Sequence, residues 1–262
     1  MLRLVISGCG GHMGRALERL CRRDPQVEVA AGIDTLGGGG QEFPVYPSPA
    51  QLTGDARCVV DFSSPSALEG LLDLALNRGI PLVLATTGYT PEQERQVRAA
   101  ARRVPIFRSA NMSLGIGVLL ELVKQAARSL GDGWDIEVLE RHHRWKVDAP
   151  SGTALILAHG AASARNYEEN HLYSRNNLRR PRDQGEIGIS SLRGGTIPGE
   201  HLVVFAGQDE VIELKHTALS RDIYAQGALE AAKFISSVER PGLYDMGGLV
   251  SWEKPPRQGD TR

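Results

Sequence analysis

At 262 residues, with 41% hydrophobic and 23% charged residues, the chain is long enough for a sizeable core and has the composition of a soluble globular protein of one large or two smaller domains. A formal net charge of -1 gives no whole-chain drive toward nucleic acid or an anionic membrane, so small-molecule work is the default. Cys9, Cys21 and Cys58 are odd in number and form no C-x-x-C pair, which argues against a disulfide framework or a thiolate metal site and fits a reducing cytoplasm. The apolar start is too short for a signal-peptide core, and no apolar run approaches bilayer-spanning length. A protein neither secreted nor embedded is expected.

Residues 2–7 read as a buried aliphatic strand that passes directly into Gly8-Cys9-Gly10-Gly11-His12-Met13-Gly14. Met13, Ala16, Leu17, Leu20 and Cys21 then recur at helical spacing, and Asp24-Pro25 closes the helix. A second strand, 27–33, delivers Asp34 about twenty residues beyond Gly14. This is the order of a dinucleotide-binding unit. Its glycines let the backbone approach a pyrophosphate at the helix N-terminus, and its acid takes the adenine ribose. The pattern is G-x-x-G-x-x-G, with Met13 where the stricter G-x-G-x-x-G has its third glycine. The same residues therefore also admit a tight turn without ligand and a solvated loop acid at position 34. Thr35 rather than an arginine follows, leaving a 2′-phosphate without a partner, so NADH is expected to be accepted at least as well as NADPH.

Residues 35–57, with glycines at 37–40 and prolines at 44, 47 and 49, read as a long connection with room for one short element. Alternation then resumes with strand 58–62, helix 67–77 closed by Gly79, strand 81–85 ending in Thr86-Thr87-Gly88, helix 91–103, and strand 105–108 ending in Ser109-Ala110-Asn111-Met112. The class is α/β, with a Rossmann-like doubly wound parallel sheet. Ligands of such sheets bind at the carboxyl ends of the strands, so the Gly8 loop, Asp34, Thr86-Thr87 and Ala110-Asn111 should line one crevice, although each later turn alone is as readily a plain turn.

From 113 the pattern changes. An apolar helix over 113–128, a strand over 134–141, a helix over 152–165 and strands over 187–193, 201–207 and 210–218 predict a C-terminal α+β domain with an open mixed sheet. The polar stretch 166–185 reads as a mobile loop, helix 223–238 as a return to the first domain, and the tail from 255 as frayed.

Residues 140–154 hold the densest set of proton donors and anion-binding groups: Glu140-Arg-His142-His143-Arg-Trp-Lys146-Val-Asp148-Ala-Pro150-Ser151-Gly152-Thr153-Ala154. Ser151 can cap a helix starting at Gly152, aiming the amides of Gly152 and Thr153 outward at the positive end of the helix dipole, where a carboxylate or phosphate belongs. His142 and His143 sit at a strand end, where adjacent side chains diverge, and Lys146 near an imidazole can supply a proton and positive charge to a developing anion. A histidine pair is also a common solvent-facing or structural feature, and the run 141–146 can be a solvated basic face. No third ligand stands at customary spacing, so no metal is expected. The combination of these groups, downstream of a nucleotide-binding half, favours an active site.

The run 140–154 resembles, residue for residue, the E-x-H-H-x-x-K-x-D-A-P-S-G-T-A signature of the dihydrodipicolinate reductase family, now called 4-hydroxy-tetrahydrodipicolinate reductases. Gly8 to Gly14 is similar to the family's G-x-x-G-x-M-G loop, Thr86-Thr87-Gly88 to its T-T-G turn, Ala110-Asn111 to its A-N segment and the stretch 193–201 to its R-G-G-x-I-x-G-E-H segment. The resemblance implies a dinucleotide-binding domain of residues 1–112 and 222–262 and a substrate-binding and oligomerisation domain of residues 113–221. It also implies a homotetramer and NAD(P)H-dependent reduction of a cyclic dicarboxylate with loss of water, in the diaminopimelate route to lysine. By position it makes His142 the proton donor or acceptor, Lys146 a proton donor, His143 a substrate contact, and Gly152 and Thr153 the amides that hold a substrate carboxylate. The cofactor positions it implies are Gly8, Cys9, Gly10, Gly11, His12, Met13, Asp34, Ala85, Thr86, Thr87, Ser109, Ala110, Asn111 and Met112. The chain departs from the pattern at Ala85, where glycine is usual, at Met112, where an aromatic is common, and at Asp34-Thr35, where some members have Glu-Arg. All three departures bear on cofactor preference. Two rivals are another nicotinamide enzyme, such as an amino-acid dehydrogenase, and a non-enzymatic nucleotide-binding or sensing protein. Neither requires the His-His-Lys and Ser-Gly-Thr set.

Overall fold

The structure is a computed structural model that describes residues 1–37, 41–168, 170–176 and 178–252, so glycines 38–40 and the tail from 255 lie outside the described residues. The chain divides into two compact units, Met1–Met112 with the residues from Tyr224 onward, and Ser113–Ile223. In chain order, the first unit begins with β1 (Leu2–Ser7), α1 (His12–Cys21), β2 (Val27–Ile33), β3 (Val45–Tyr46) and β4 (Cys58–Asp61). It continues with α2 (Leu68–Arg78), β5 (Leu82–Leu84), α3 (Pro91–Ala100) and β6 (Pro105–Arg108). The second unit holds α4 (Leu114–Leu130), β7 (Asp135–His142), α5 (Gly152–Ala164), β8 (His171–Leu172), β9 (Ile187–Arg193), β10 (Gly199–Ala206) and β11 (Val211–Ala218). Then α6 (Asp222–Ser236) leads into the first unit, which closes with β12 (Gly242–Tyr244) and α7 (Met246–Val250).

Among the described residues, the first sheet is parallel, in the order β12-β6-β5-β4-β1-β2-β3. A parallel sheet covered on both faces needs apolar residues throughout rather than alternation, and every residue of β4 and β5 is buried. The strand order reverses between β1 and β4, the topological switch point that opens a crevice at the strand carboxyl ends. Leu68, Leu71, Val97 and Ile106 pack with Val5, Ile33, Val59 and Leu82 in the core on one side of the sheet.

Local chemistry sets the helix ends. At α3 the Thr90 side chain accepts from the Gln93 N–H and the Gln93 side chain accepts from the Thr90 N–H, a reciprocal capping box. That helix stops at Ala100, short of the expected 103. A residue before proline is disfavoured in the helical region, which sets Val104 against continuing the helix, and residues 101–103 form turns with bonds such as Arg102 N–H to the Ala99 carbonyl. Residues 35–57 hold two short elements instead of one: β3 pairs with the end of β2, and Pro49–Gln51 forms a 3-10 turn. β12 and α7, unexpected from the sequence, are too short to show periodicity.

The second sheet is mixed, in the order β11-β10-β7-β9-β8, with β7 antiparallel to β10 and parallel to β9. Burial alternates along β7 and β10, as expected for a sheet with one covered face. That face, through Ile136, Val138, Val203 and Phe205, packs on Leu119 and Val123 of α4 and Leu157, Ala158 and Ala161 of α5. Truncating the fully buried Phe205 to alanine should cost about 3–5 kcal/mol. The stretch 166–185, expected as a mobile loop, contributes β8, and its Arg182 pairs with Glu137 and Asp135 at the start of the central strand β7. The alternating face that builds this core ends, at the far end of β7, in Glu140 and His142.

Candidate functional site

The first candidate site lies in the first unit, at the carboxyl end of β1. Gly8 has a φ of +77°, and a Cβ there would meet the Phe62 carbonyl oxygen at 2.8 Å. Gly14, one position past the third glycine of the stricter pattern, packs so closely that its Cβ would lie 2.2 Å from the Gly8 oxygen. It therefore fills the helix-against-strand role of that glycine. Helix α1 starts behind Gly11 with no side-chain cap and no acid in its first turn, where His12 is exposed and Met13 half-buried. Such an uncapped, acid-free N-terminus suits a pyrophosphate.

Asp34 follows β2. Its carboxylate accepts from the Gly10 N–H at 2.9 Å and the Leu36 N–H at 3.0 Å, so the expected ribose-binding acid already braces the glycine loop. Ala85, Thr86 and Thr87 follow β5, with the Ala85 N–H bonded to the Asp61 carbonyl. Ser109, Ala110, Asn111 and Met112 follow β6, where the Ser109 hydroxyl donates to the Asn111 carbonyl and Met112 is buried. All fourteen expected cofactor positions thus fall in the first unit, on the turns after β1, β2, β5 and β6 and on the first residues of α1. Burial pushes the Cys9 thiol up to about 11, with help from Asp34, so the cysteine within the glycine loop stays protonated.

The second candidate site lies in the second unit, where His142 ends β7. Strand alternation puts Glu140 and His142 on the covered face, and His143 is the first residue after the strand. Glu140 is nearly fully buried and surrounded by hydrogen-bond donors. Its Oε2 receives His142 Nδ1 at 2.6 Å and Arg193 Nη1 at 2.8 Å, and its Oε1 receives Arg193 Nη2 at 2.7 Å and the Ser151 N–H at 3.1 Å. Burial alone would raise the Glu140 pKa, but Arg193, His142 and Ser191 outweigh it and hold the carboxyl at about 2. His142 lies below its ordinary value, chiefly through burial. Glu140 opposes that shift, while Lys146 and Arg193 reinforce it.

The Ser151 hydroxyl accepts from the Ala154 N–H as N-cap of α5 and meets His201 Nε2 at 3.1 Å. His201 faces Glu140 across β10 and stacks edge-on to His142 at 5.2 Å. Burial first, then His142, pushes it down to about 4. Gly152 and Thr153 form the first turn of α5, with Gly152 exposed. Lys146 pairs with Asp148 at 2.8 Å rather than with an imidazole, and His143 Nε2 lies 3.2 Å from the Arg221 guanidinium. A Cβ at Gly199 would come within 3.1 Å of His142 Nε2, so the glycine leaves that nitrogen uncrowded. Among the described residues, no group of His, Cys, Asp and Glu could hold a metal ion, and no helix is long and apolar enough to cross a membrane.

Residues 2–112 match the family described as dihydrodipicolinate reductase, N-terminus, and residues 115–250 the one described as dihydrodipicolinate reductase, C-terminus. The chain belongs to the dihydrodipicolinate reductase family. Relatives named 4-hydroxy-tetrahydrodipicolinate reductase include one from Caldanaerobacter subterraneus subsp. tengcongensis, 46% identical, and one from Clostridium perfringens strain 13, 40% identical. Each match covers 95% of this chain and 98% of the relative. Among solved structures, a dipicolinate-bound dihydrodipicolinate reductase from Paenisporosarcina sp. TG-14 shares the fold with a TM-score of 0.78 at 24% identity, over 94% of this chain and 97% of that one.

Three side chains of this reductase's second site had no role assigned from sequence: Glu140, Arg193 and His201. The i, i+2 spacing of Glu140 and His142 on a strand was a usable signal for Glu140. Arg193 and His201 reach the site only through the β9 and β10 registers, which pair residues dozens of positions apart.

Proposed function

We propose that this chain reduces 4-hydroxy-tetrahydrodipicolinate to tetrahydrodipicolinate with NADH or NADPH, releasing water, in the diaminopimelate route to lysine. The observation that carries this reading is the buried Glu140–His142 pair beside the N-terminus of α5, in a chain that matches the reductase family over residues 2–112 and 115–250. The Paenisporosarcina relative was solved with dipicolinate, and a cyclic dicarboxylate of that class is the substrate inferred here.

The first unit fits a dinucleotide, because the glycine-walled turn at Gly8 and Gly14 and the uncapped α1 make the cradle its phosphates need. When bound, the reduced nicotinamide supplies a hydride. The protein's own residues bind the substrate and manage protons. Gly152 and Thr153 at the α5 N-terminus hold one carboxylate, and His143 contacts the substrate from just after the strand end. With Nδ1 engaged by Glu140, His142 exchanges its proton through Nε2. Burial keeps the ring neutral at neutral pH, and a bound dianion raises its proton affinity so that it gains a proton to give. Lys146, tethered by Asp148, is the second proton donor.

Asp34, followed by Thr35, favours the ribose hydroxyls over a 2′-phosphate, so NADH is accepted at least as well as NADPH. The chain acts in the cytoplasm as a homotetramer formed through the second unit. The half-exposed Leu192 and the exposed Val211 on that unit's sheet are suited to such an interface. The test is spectrophotometric. The product of the preceding synthase is mixed with NADH or NADPH and the loss of reduced-nicotinamide absorbance is followed, with no oxidation above background sinking the assignment.

A further inference from the structure

A carboxylate with no exposed side-chain surface survives ionised only where donors saturate it, and Glu140 is saturated by partners from three different segments. Arg193, on β9, grips both of its oxygens in a bidentate pair. His142, two residues on, gives it Nδ1, and Ser151, the residue that starts α5, gives it a backbone N–H. The same carboxylate therefore touches both halves of the chemistry: the imidazole assigned to proton transfer and the helix end assigned to substrate capture.

We propose that Glu140 is the positioning carboxylate of this reaction. Clamped by Arg193, it fixes the His142 ring with Nδ1–H inward and Nε2 outward, and it ties that ring to the start of α5. The inference rests on the reading of His142 as proton donor, and it adds the group that makes that donor work. An imidazole held this way exchanges its proton only at Nε2, and the imidazolium formed in the cycle stays beside a negative charge. The charged and titratable groups around His142 are Glu140 on its own strand, Arg193 on β9, His201 on β10, and Lys146 in the following loop with its partner Asp148. Glu140 favours the protonated ring, while Arg193 and Lys146 oppose it.

Two substitutions with opposite consequences test this. In Glu140→Gln the side chain can still accept from the Ser151 N–H but no longer offers a charge to His142. In Arg193→Gln the charge on Glu140 remains and the opposing cation goes. The His142 ring is titrated by NMR in the ligand-free protein, and kcat/KM is measured against pH. For Glu140→Gln, the proton affinity of His142 should fall at least about tenfold, the limb of the pH profile should move to lower pH with it, and kcat should drop about 10- to 100-fold while the substrate KM changes little. Arg193→Gln should shift the titration to higher pH, and this arm decides the matter if Glu140→Gln does not fold. Titrations that stay put, or that move in the same direction in both variants, would overturn the proposal. If the titrations diverge as expected while the pH limb ignores them, Glu140's hold on the ring stands and His142 falls as the proton donor. The NMR arm still decides the point if the unmodified chain turns over no substrate.

Discussion

The two candidate sites are built in opposite ways. The turn after β1 uses backbone: glycines set so tightly that a Cβ at Gly14 would lie 2.2 Å from a carbonyl oxygen, a helix start without a cap, and one carboxylate, Asp34, already bonded to the loop. The end of β7 uses buried charge: Glu140, Arg193, His142 and His201, with one carboxyl held at about 2 and one imidazole at about 4. Backbone groups suffice to hold a phosphate because their geometry is fixed and their charge never changes. Proton transfer needs groups whose charge does change, and burial with chosen partners is how their proton affinities are set.

The contrast predicts different failures. The largest effect belongs to the second site. His142→Gln or Lys146→Ala should lower kcat about 100-fold or more, with NADH binding measured by fluorescence left intact. Wild-type turnover in both variants would remove the proton-donor assignment. Next comes Gly14→Ala, where the loop must open by more than an ångström to admit a methyl group beside the Gly8 oxygen. It should weaken NADH and NADPH alike, about tenfold or more, because the pyrophosphate cradle rather than the ribose contact is damaged. A variant that binds both cofactors normally would show that the close packing at Gly14 does not shape the cradle.

The same contrast explains what could be read from sequence. The Gly8 loop was legible because its parts are consecutive: strand, glycines, helix and acid follow within about thirty residues. His142, His143, Lys146 and the Ser151 cap were legible for the same reason. Glu140's partners were not, because Arg193 and His201 stand 53 and 61 positions away and meet it only through strand register. Lys146 beside an imidazole was an expectation from proximity in sequence. The structure pairs the lysine with Asp148, the acid two residues on, and keeps it close enough for its charge to act on the His142 and His201 rings. β12 escaped notice because three residues show no period, and its place at the sheet edge is set by parallel pairing with β6.

A smaller effect should appear on acidification, and the charge-built unit should show it. His201 titrates near 6.5 when unfolded and about 4 when folded, so between those values the unfolded chain binds more protons and stability falls as pH falls. Glu140, depressed to about 2, adds its own loss from about 4.5 downward, since its stabilising partners act only on the carboxylate. The melting temperature should therefore drop between pH 7 and pH 4 and continue to fall below that. His201→Asn, which keeps a polar side chain beside Ser151, should flatten the upper part of that slope. An unchanged slope would mean that His201 is not what titrates there.

The smallest and most discriminating effect concerns Asp34, to which the proposed function gives a second purpose beside its bracing of the glycine loop. Its carboxylate braces Gly10 and Leu36, and in the proposed function it also takes the ribose hydroxyls of NADH. Asp34→Ala removes both functions and should raise the KM for both cofactors, that for NADH by a further severalfold, the size of one or two lost hydrogen bonds at about 1 kcal/mol each. Asp34→Asn retains an acceptor for the Gly10 N–H while deleting the charge that repels a 2′-phosphate. It should leave NADH within a fewfold of wild type and improve NADPH. If alanine and asparagine weaken both cofactors equally, Asp34 acts only as a brace of the glycine loop. The first site would then hold its ligand through backbone alone, and cofactor preference would have to be set by residues other than the acid after β2.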